Sequence, residues 1–501
     1  MGVIQRQGFK SSIVSYIGVA IGAISTIYVY PKATEILGLF RAMFDGAVLI
    51  GIMVLMGSSI AAVRFFPRYK DPETGHSGYL SWLFMVSGSG FLLFLLAFPF
   101  IRHWMSQYIF HGSNQKYEEF AYYLIPMTFF ISLINLLSRY ISNFRRVTIP
   151  AALEQLGIKV ALPIIMLMYI SGWIGVSEVL LGITACFAFS AFGMIYYLWH
   201  LGEWRLKAPK IWKDKPALKE YANYSWYGLL AGIGSQIAFK IDSIMVASII
   251  DLKATGIYTI AWALSEVIIK PMRSLTSIAG PVVAHHIEVG NMDEVKTIYK
   301  KSALNMTIIG VGLFLLIWSV LPYLFMIMPN TEEMQAGTYV VFFLGLAQVW
   351  DMMTGINTEI IYYSKFYRFN LYLTLFLGVL TISANLVFIP LFGLTGAALA
   401  TCTSMFLFNV AKLIFIKWKF GFFPFTSRLF PIIGFGIAAW LIARWIPVSG
   451  NAYLDTFIKG TVFSILYGAA IWKFNFSPDI NHWVTRIFQQ VKKFAFSRSN
   501  S

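Results

Sequence analysis

Charged side chains are scarce in this sequence: Asp, Glu, Lys and Arg make up 12% of 501 residues, against roughly 25% in ordinary globular domains. So little charge cannot clothe a water-facing surface, which excludes a soluble enzyme. Acidic residues are the scarcer sign, with 23 Asp and Glu against 39 Lys and Arg and a formal net charge of +16. Cysteine is nearly absent. Its two copies, Cys186 and Cys402, fall inside apolar runs, so they read as small buried hydrophobes rather than half of a disulfide or a metal site. Long loops on the outer side are missing as well: the longest segment expected on that side of the membrane, 102-117, is too short to hold the acceptor and catalytic groups of a glycosyltransferase, ligase or polymerase. The chain also lacks His-Glu-x-x-His, Gly-x-x-x-x-Gly-Lys-Ser/Thr and Gly-x-Ser-x-Gly. No catalytic residue, metal site or cofactor is therefore expected. His285, His286 and Glu288 sit close in sequence, but read as a solvated loop at the inner end of a span.

What the chain has is apolar material, 58% of its residues, with a mean hydropathy of +0.68. At about 20 residues per spanning helix, this is enough for about fourteen spans. The first run, 13-30, is too long for a signal-peptide core and has no small-x-small cleavage site, so it reads as an uncleaved helix. Further runs cover 39-66, 80-101, 120-144, 148-170, 177-200, 222-249, 255-283, 303-328, 337-363, 369-389, 393-416, 429-446 and 456-474. They are continuous rather than alternating, which points to helices instead of a barrel. With the N-terminus inside, 28 of the 39 Lys and Arg residues fall on inner segments and six on outer ones. That asymmetry predicts cytoplasmic N- and C-termini. It also disperses the basic charge over many short segments, which argues against nucleic acid as a partner.

Sliding the chain on itself reveals a repeat. Ser15, Gly18, Gly22 and Ser25 recur as Ser225, Gly228, Gly232 and Ser235 at a shift of 210, and Gly38-Leu39-Phe40 recurs as Gly256-Ile257-Tyr258 at a shift of 218. Both first helices run outward, so the halves are parallel repeats related by an axis along the membrane normal. The expected organisation is an N-terminal six-helix lobe, 1-202, a basic cytoplasmic linker, 203-221, and a C-terminal six-helix lobe, 222-418. An appended helix pair, 419-475, and an amphipathic basic tail, 476-501, complete it. The tail's apolar stripe from Ile480 to Phe494, flanked by Arg486, Lys492 and Lys493, suits anionic membrane lipid, with a protein contact as the alternative. The Ser/Gly faces suit either close helix packing or a pore lining.

Ionisable groups inside spans normally face a cavity, a partner or the interface. Glu266, Lys270 and Arg273 follow at steps of four and three, forming a stripe of net positive charge on one helix face. Arg41 and Asp45 lie one turn apart, Lys240 and Asp242 share the seventh span, and Asp351 and Glu359 lie two turns apart in the tenth, near Gln348. Arg139 occupies the place equivalent to Glu359 in the other half. Intramembrane ion pairs, Arg41 with Asp45 and Glu266 with Lys270, are the structural reading of these charges; a substrate path is the functional one.

Two stretches resemble the polysaccharide-transporter branch of the MATE-like, or MOP, exporter superfamily, the Wzx-type flippases. One is Lys240-Ile-Asp-Ser-Ile-Met-Val-Ala-Ser with Thr255-Gly-Ile-Tyr-Thr-Ile-Ala-Trp and Pro281. The other is Asn385-Leu-Val-Phe-Ile-Pro-Leu-Phe-Gly-Leu-Thr-Gly-Ala-Ala-Leu-Ala-Thr401. The resemblance implies two six-helix lobes around a central cavity, working by alternating access in the bacterial inner membrane. It implies an undecaprenyl-diphosphate-linked oligosaccharide as substrate, from an O-antigen, capsule or exopolysaccharide pathway, with glycan polymerase or ligase machinery downstream. Arg41, Arg139, Lys240, Lys270 and Arg273 would then meet the pyrophosphate, and Tyr258, Trp262 and Gln348 the sugars. Asp45, Asp242, Glu266, Asp351 and Glu359 are the candidates for coupling to a proton or sodium ion. A lipid-II flippase and a multidrug or cation antiporter of the same fold are the alternatives; the latter loses weight because 11-30 carries no charge.

Overall fold

The computed structural model describes residues 18–482 except 72, 145 and 147. Arg6, Lys10, Ser15, Arg145 and the greater part of the basic tail lie outside them. Among the described residues there is helix, turn and loop but no strand. The first run is helical over 18–28. Twelve longer helices and one short one, α10, are used below. They are α1 (Thr34–Leu55), α2 (Tyr79–Tyr108), α3 (Leu124–Ser142), α4 (Gly157–Ile170), α5 (Val176–His200), α6 (Lys215–Ile249) and α7 (Leu252–Glu288), then α8 (Met292–Ile327), α9 (Thr338–Met353), α10 (Asn357–Tyr363), α11 (Tyr367–Phe420), α12 (Leu429–Trp445) and α13 (Ala452–Lys473).

Among the described residues ten helical segments are long and apolar enough to cross a membrane, or eleven if a bent pair in α6 is taken as one span. This is fewer than the fourteen expected, for identifiable reasons. The first run is only partly described, α12 has 17 residues, and the runs 369-389 and 393-416 are counted together because they lie in the one segment α11, which is two helices meeting at a kink. The kink is Gly393, which leaves helical geometry at φ 56°, ψ −134°, where the two runs were expected to part. Two further expectations are corrected. The run 337-363 is broken between α9 and α10, where Gly355 adopts φ 61°, so Asp351 and Glu359 do not share one continuous helix. His285, His286 and Glu288 belong to α7 itself and not to a loop, because the helix continues through Pro281 to Glu288.

The chain forms two compact units: Met1–Ile260 with Thr374–Leu394, and Ala261–Leu373 with Thr395–Ser501. Within the first, α1 packs on α3 and α6. In lipid the hydrophobic effect does not drive helices together, so small residues and polar contacts decide the packing. The clearest case joins α1 to the first turn of α7. A methyl group on Gly38 would collide with the Leu252 carbonyl, and one on Gly256 with the Thr34 carbonyl. These are equivalent residues of the repeat, each glycine meeting the equivalent of the other's partner. The Ser/Gly face of α6 also serves packing, since Gly228 abuts Ile60 and Gly232 abuts Ile52.

The second unit has an apolar core in which α8, α12 and α13 pack closely, with Ile268, Tyr299, Met352, Ile416, Ile432 and Phe463 almost fully buried. Side-chain caps start two of its helices: Asn291 accepts from the Glu294 amide, and Asn451 from the amides of Tyr453 and Leu454, satisfying donors a helix start leaves open. Apolar side chains face outward where lipid would lie, as Phe100 at 79% and Trp445 at 85% exposure illustrate. The two cysteines are half-buried and unpaired.

Candidate functional site

Among the described residues of the first unit, two groups of polar side chains are arranged around a buried carboxylate, Asp45 and Asp242. Asp45 on α1 is fully buried and pairs with Arg41 Nε at 2.5 Å and Lys240 Nζ at 3.0 Å. The Ser243 hydroxyl donates to its Oδ2 at 2.6 Å. Arg41 reaches Asp45 because four residues are one helical turn. Lys240 arrives from α6 immediately after a 54° bend between Ala238 and Lys240; its ammonium also lies 5.4 Å from the centre of the Phe44 ring. The group therefore holds two cations against one anion.

Asp242 forms the second group. It is 6% exposed, accepts from Asn385 Nδ2 at 2.7 Å on Oδ1 and from the Tyr258 hydroxyl at 3.1 Å on Oδ2. Tyr258, expected to meet sugar, is thus a buried hydrogen-bond donor to Asp242. Asn385 appeared in the sequence only as part of a family motif; its role as the partner of Asp242 depends on a contact 143 positions away.

In the second unit the α7 stripe forms as spaced. Glu266 Oε1 accepts from Lys270 Nζ at 2.9 Å and Arg273 Nη1 at 2.8 Å. Both cations remain partly exposed, at 42% and 59%, so one carboxylate holds two accessible positive groups. Arg273 also lines an open pocket of about 220 Å³ with Thr276, Ser277, Thr358, Glu359, Tyr362 and Tyr363. The fold therefore brings Arg273 and Glu359 to the same pocket from α7 and α10. Asp351, at the end of α9, accepts from Asn409 Nδ2 at 2.9 Å. Gln348 and Trp262 are half-buried and Arg139 is exposed at the end of α3.

One buried residue was missed in the sequence. Lys412, near the end of the run 393-416, is one of the 28 Lys and Arg residues counted on inner segments, yet it is 2% exposed. Its Nζ donates to Thr358 Oγ1 at 2.8 Å and lies 3.8 Å from the centre of the Phe408 ring. The available signal was Asn409, three residues earlier and on the same helix face.

The family model of polysaccharide biosynthesis proteins matches residues 33–284. Among solved structures, the lipid II flippase MurJ in an inward closed conformation is similar at 12% identity, over 93% of this chain and 99% of that one, with a TM-score of 0.72. A multidrug-resistance MATE transporter of the MOP superfamily, in an inward-facing conformation, is similar at 16% identity over 80% and 94% of the two chains, with a TM-score of 0.62. A MATE structure in complex with MaL6 has 17% identity over 83% and 95%, with a TM-score of 0.55. At these identities the likeness is one of fold. No curated protein sequence matches the chain significantly.

Proposed function

Because the chain belongs to the polysaccharide biosynthesis protein family, we propose that this multi-pass membrane protein is a flippase for an undecaprenyl-diphosphate-linked oligosaccharide. O-antigen, capsule and exopolysaccharide repeat units are the cargo class. The observation that carries the site is the α7 stripe, where Lys270 and Arg273 share the single carboxylate of Glu266 and stay partly exposed. A pyrophosphate needs such charge-assisted donors. Sugar hydroxyls suit the neighbouring wall, where Thr276, Ser277, Thr358, Tyr362 and Tyr363 supply hydroxyl groups. The Arg41–Lys240–Asp45 group is a second place with cations in excess of anions.

The setting we propose is the bacterial inner membrane, with both termini cytoplasmic and glycan polymerase or ligase machinery receiving the product. The test is surface-glycan export in cells that depend on this chain. Lys270→Ala and Arg273→Ala are expected to abolish export while the protein still inserts at normal abundance; export retained in both variants removes the stripe from the mechanism. A lipid II flippase is the second reading, favoured by the likeness to MurJ over 93% of the chain. Rescue of cells depleted of their lipid II flippase, without restoration of another glycan, selects it.

A further inference from the structure

Between α5 and α6 the chain runs as a strap over 203–214, without helix except for a single turn at Lys210–Lys213. The loop before α2 holds it in place. Gly75, His76, Ser77 and Gly78 all have positive φ, between 53° and 72°, a left-handed turn that histidine and serine disfavour. The His76 ring is buried, and its Nδ1 accepts from the Asp71 amide at 3.2 Å, so Nε2 carries the hydrogen and donates to Glu203 Oε2 at 2.7 Å. Gly78 lies so close to the strap that a methyl group there would stand 2.5 Å from the carbonyl oxygens of both Lys207 and Ala208. Trp204 and Trp212 complete the attachment, with ring centres 5.7 and 5.1 Å from those of Phe84 and Trp82 near the start of α2.

The strap so held keeps its acids occupied and its bases outward. Residues 203–219 carry six Lys and Arg against two acids. Glu203 is engaged by His76, and Asp214 accepts from the Ala217 amide at 3.0 Å. In the facing loop Asp71 accepts from the Thr74 hydroxyl and from the amides of Glu73 and Thr74, while the Glu73 side chain stays exposed. Lys207 and Lys210 are exposed, Lys207 Nζ reaching only as near as 3.4 Å to the Glu73 carbonyl. Beside them Leu206 and Trp212 are 55% and 57% exposed. The depth of this patch is marked by its neighbours: Trp82 and Phe84 lie in the first two turns of α2, and Tyr196 and Trp199 stand exposed on the last turns of α5. Aromatic side chains of that kind belong at the boundary between lipid and water. At that level an apolar side chain enters the interface while a neighbouring ammonium meets phosphate.

We infer that the segment 203–212 is a binding surface for anionic phospholipid, in which Lys207 and Lys210 contact the headgroup phosphates and Leu206 and Trp212 enter the interface. The depth of Leu206 and Trp212 favours lipid over an acidic soluble protein, which would have to reach below the headgroups to touch them. The surface uses none of the residues of the α7 stripe and requires only that the chain spans a membrane, so it goes beyond the flippase reading and does not depend on the cargo.

The test uses the purified full chain in lipid nanodiscs, with Cys186 and Cys402 replaced by Ala and a bimane fluorophore on Ala208→Cys, an exposed position of the strap. Quenching is compared for phosphatidylglycerol and phosphatidylcholine that carry the same nitroxide near the glycerol end of an acyl chain. Phosphatidylglycerol is expected to quench more strongly by about fivefold, the preference one engaged lysine supplies, and the preference is expected to shrink at high salt. Lys207→Gln combined with Lys210→Gln is expected to abolish the preference. Trp212→Ala is expected to lower quenching by both lipids. Gly78→Ala keeps every charge but drives a methyl group against the strap backbone, and is expected to reduce the preference; if that variant does not yield folded protein, the lysine pair decides alone. Equal quenching by the two lipids, or a preference unchanged in the lysine pair or in folded Gly78→Ala, overturns the inference. So does a fluorophore that aqueous iodide quenches and neither lipid does, an outcome that selects a soluble acidic partner. No lipid-linked cargo is present, so failure here speaks to the strap, whereas failure of the export assay speaks to the flippase reading.

Discussion

Replacing Asp45 by Asn removes one charge and almost no volume, leaving Arg41 and Lys240 facing each other without their shared anion. Asp45 is fully buried, and its partners are only 14% and 22% exposed, so little of the lost attraction is replaced by water. Breaking a buried pair in this way costs about 3–5 kcal/mol. The lower end applies because both cations retain some solvent and the Ser243 hydroxyl can still donate to the Asn side-chain oxygen. At about 2.1 cal/mol/K of unfolding entropy per residue, about 3 kcal/mol corresponds to a fall in Tm of about 3 °C for the chain unfolding as a whole. Thermal unfolding of the purified protein, followed by loss of the monodisperse chromatographic peak, measures it. The decisive comparison is the double variant Asp45→Asn with Lys240→Met, which discards the surplus cation and is expected to recover at least half of the loss. A single variant within about 0.5 kcal/mol of the native protein, or a double variant no better than the single, refutes the reasoning.

Gly38→Ala and Gly256→Ala each place a methyl group against a backbone carbonyl that cannot rotate away; each is expected to destabilise by about 1–3 kcal/mol or more, read by the same unfolding assay. Gly434→Ala is the contrasting substitution, since a methyl group there meets nothing within 4 Å and gains helix propensity of up to about 1 kcal/mol; a loss of stability would contradict the packing described for α12. Asn451→Ala removes the acceptor for two amides at the start of α13 and is expected to cost about 0.5–2 kcal/mol. A neutral result there, by thermal unfolding, would mean that other contacts hold the first turn of that helix.

Where sequence spacing translates directly into geometry, the chain was readable. Arg41 with Asp45 and Lys270 with Glu266 pair as their separation of one turn requires, and the α7 stripe needed no knowledge of the fold. The repeat marked Gly38 and Gly256, though not that they would meet. What escaped was tertiary. Asn385 and Asp242 lie 143 positions apart, and periodicity carries no information about such a pair. Lys412 escaped for a different reason: a basic residue near the end of an apolar run has the same sequence appearance whether it reaches water or turns inward to a hydroxyl. Span counting missed the break at Gly355, because hydropathy averages over it, whereas the boundary drawn between 389 and 393 coincides with the break at Gly393.

The reciprocal contact at Gly38 and Gly256 has an evolutionary consequence. Partners exchanged between equivalent positions are the signature of an isologous interface, in which residue i meets j and j meets i across a twofold axis. Such an arrangement arises naturally when two identical subunits associate, and a later gene duplication with fusion preserves it inside one polypeptide. The crossing of α1 with α7 has the reciprocal form that such a fusion would leave. Each helix constrains the other there: a side chain gained on one has no space unless the opposite backbone retreats, so a substitution at either glycine is expected to be accommodated only by moving both helices apart.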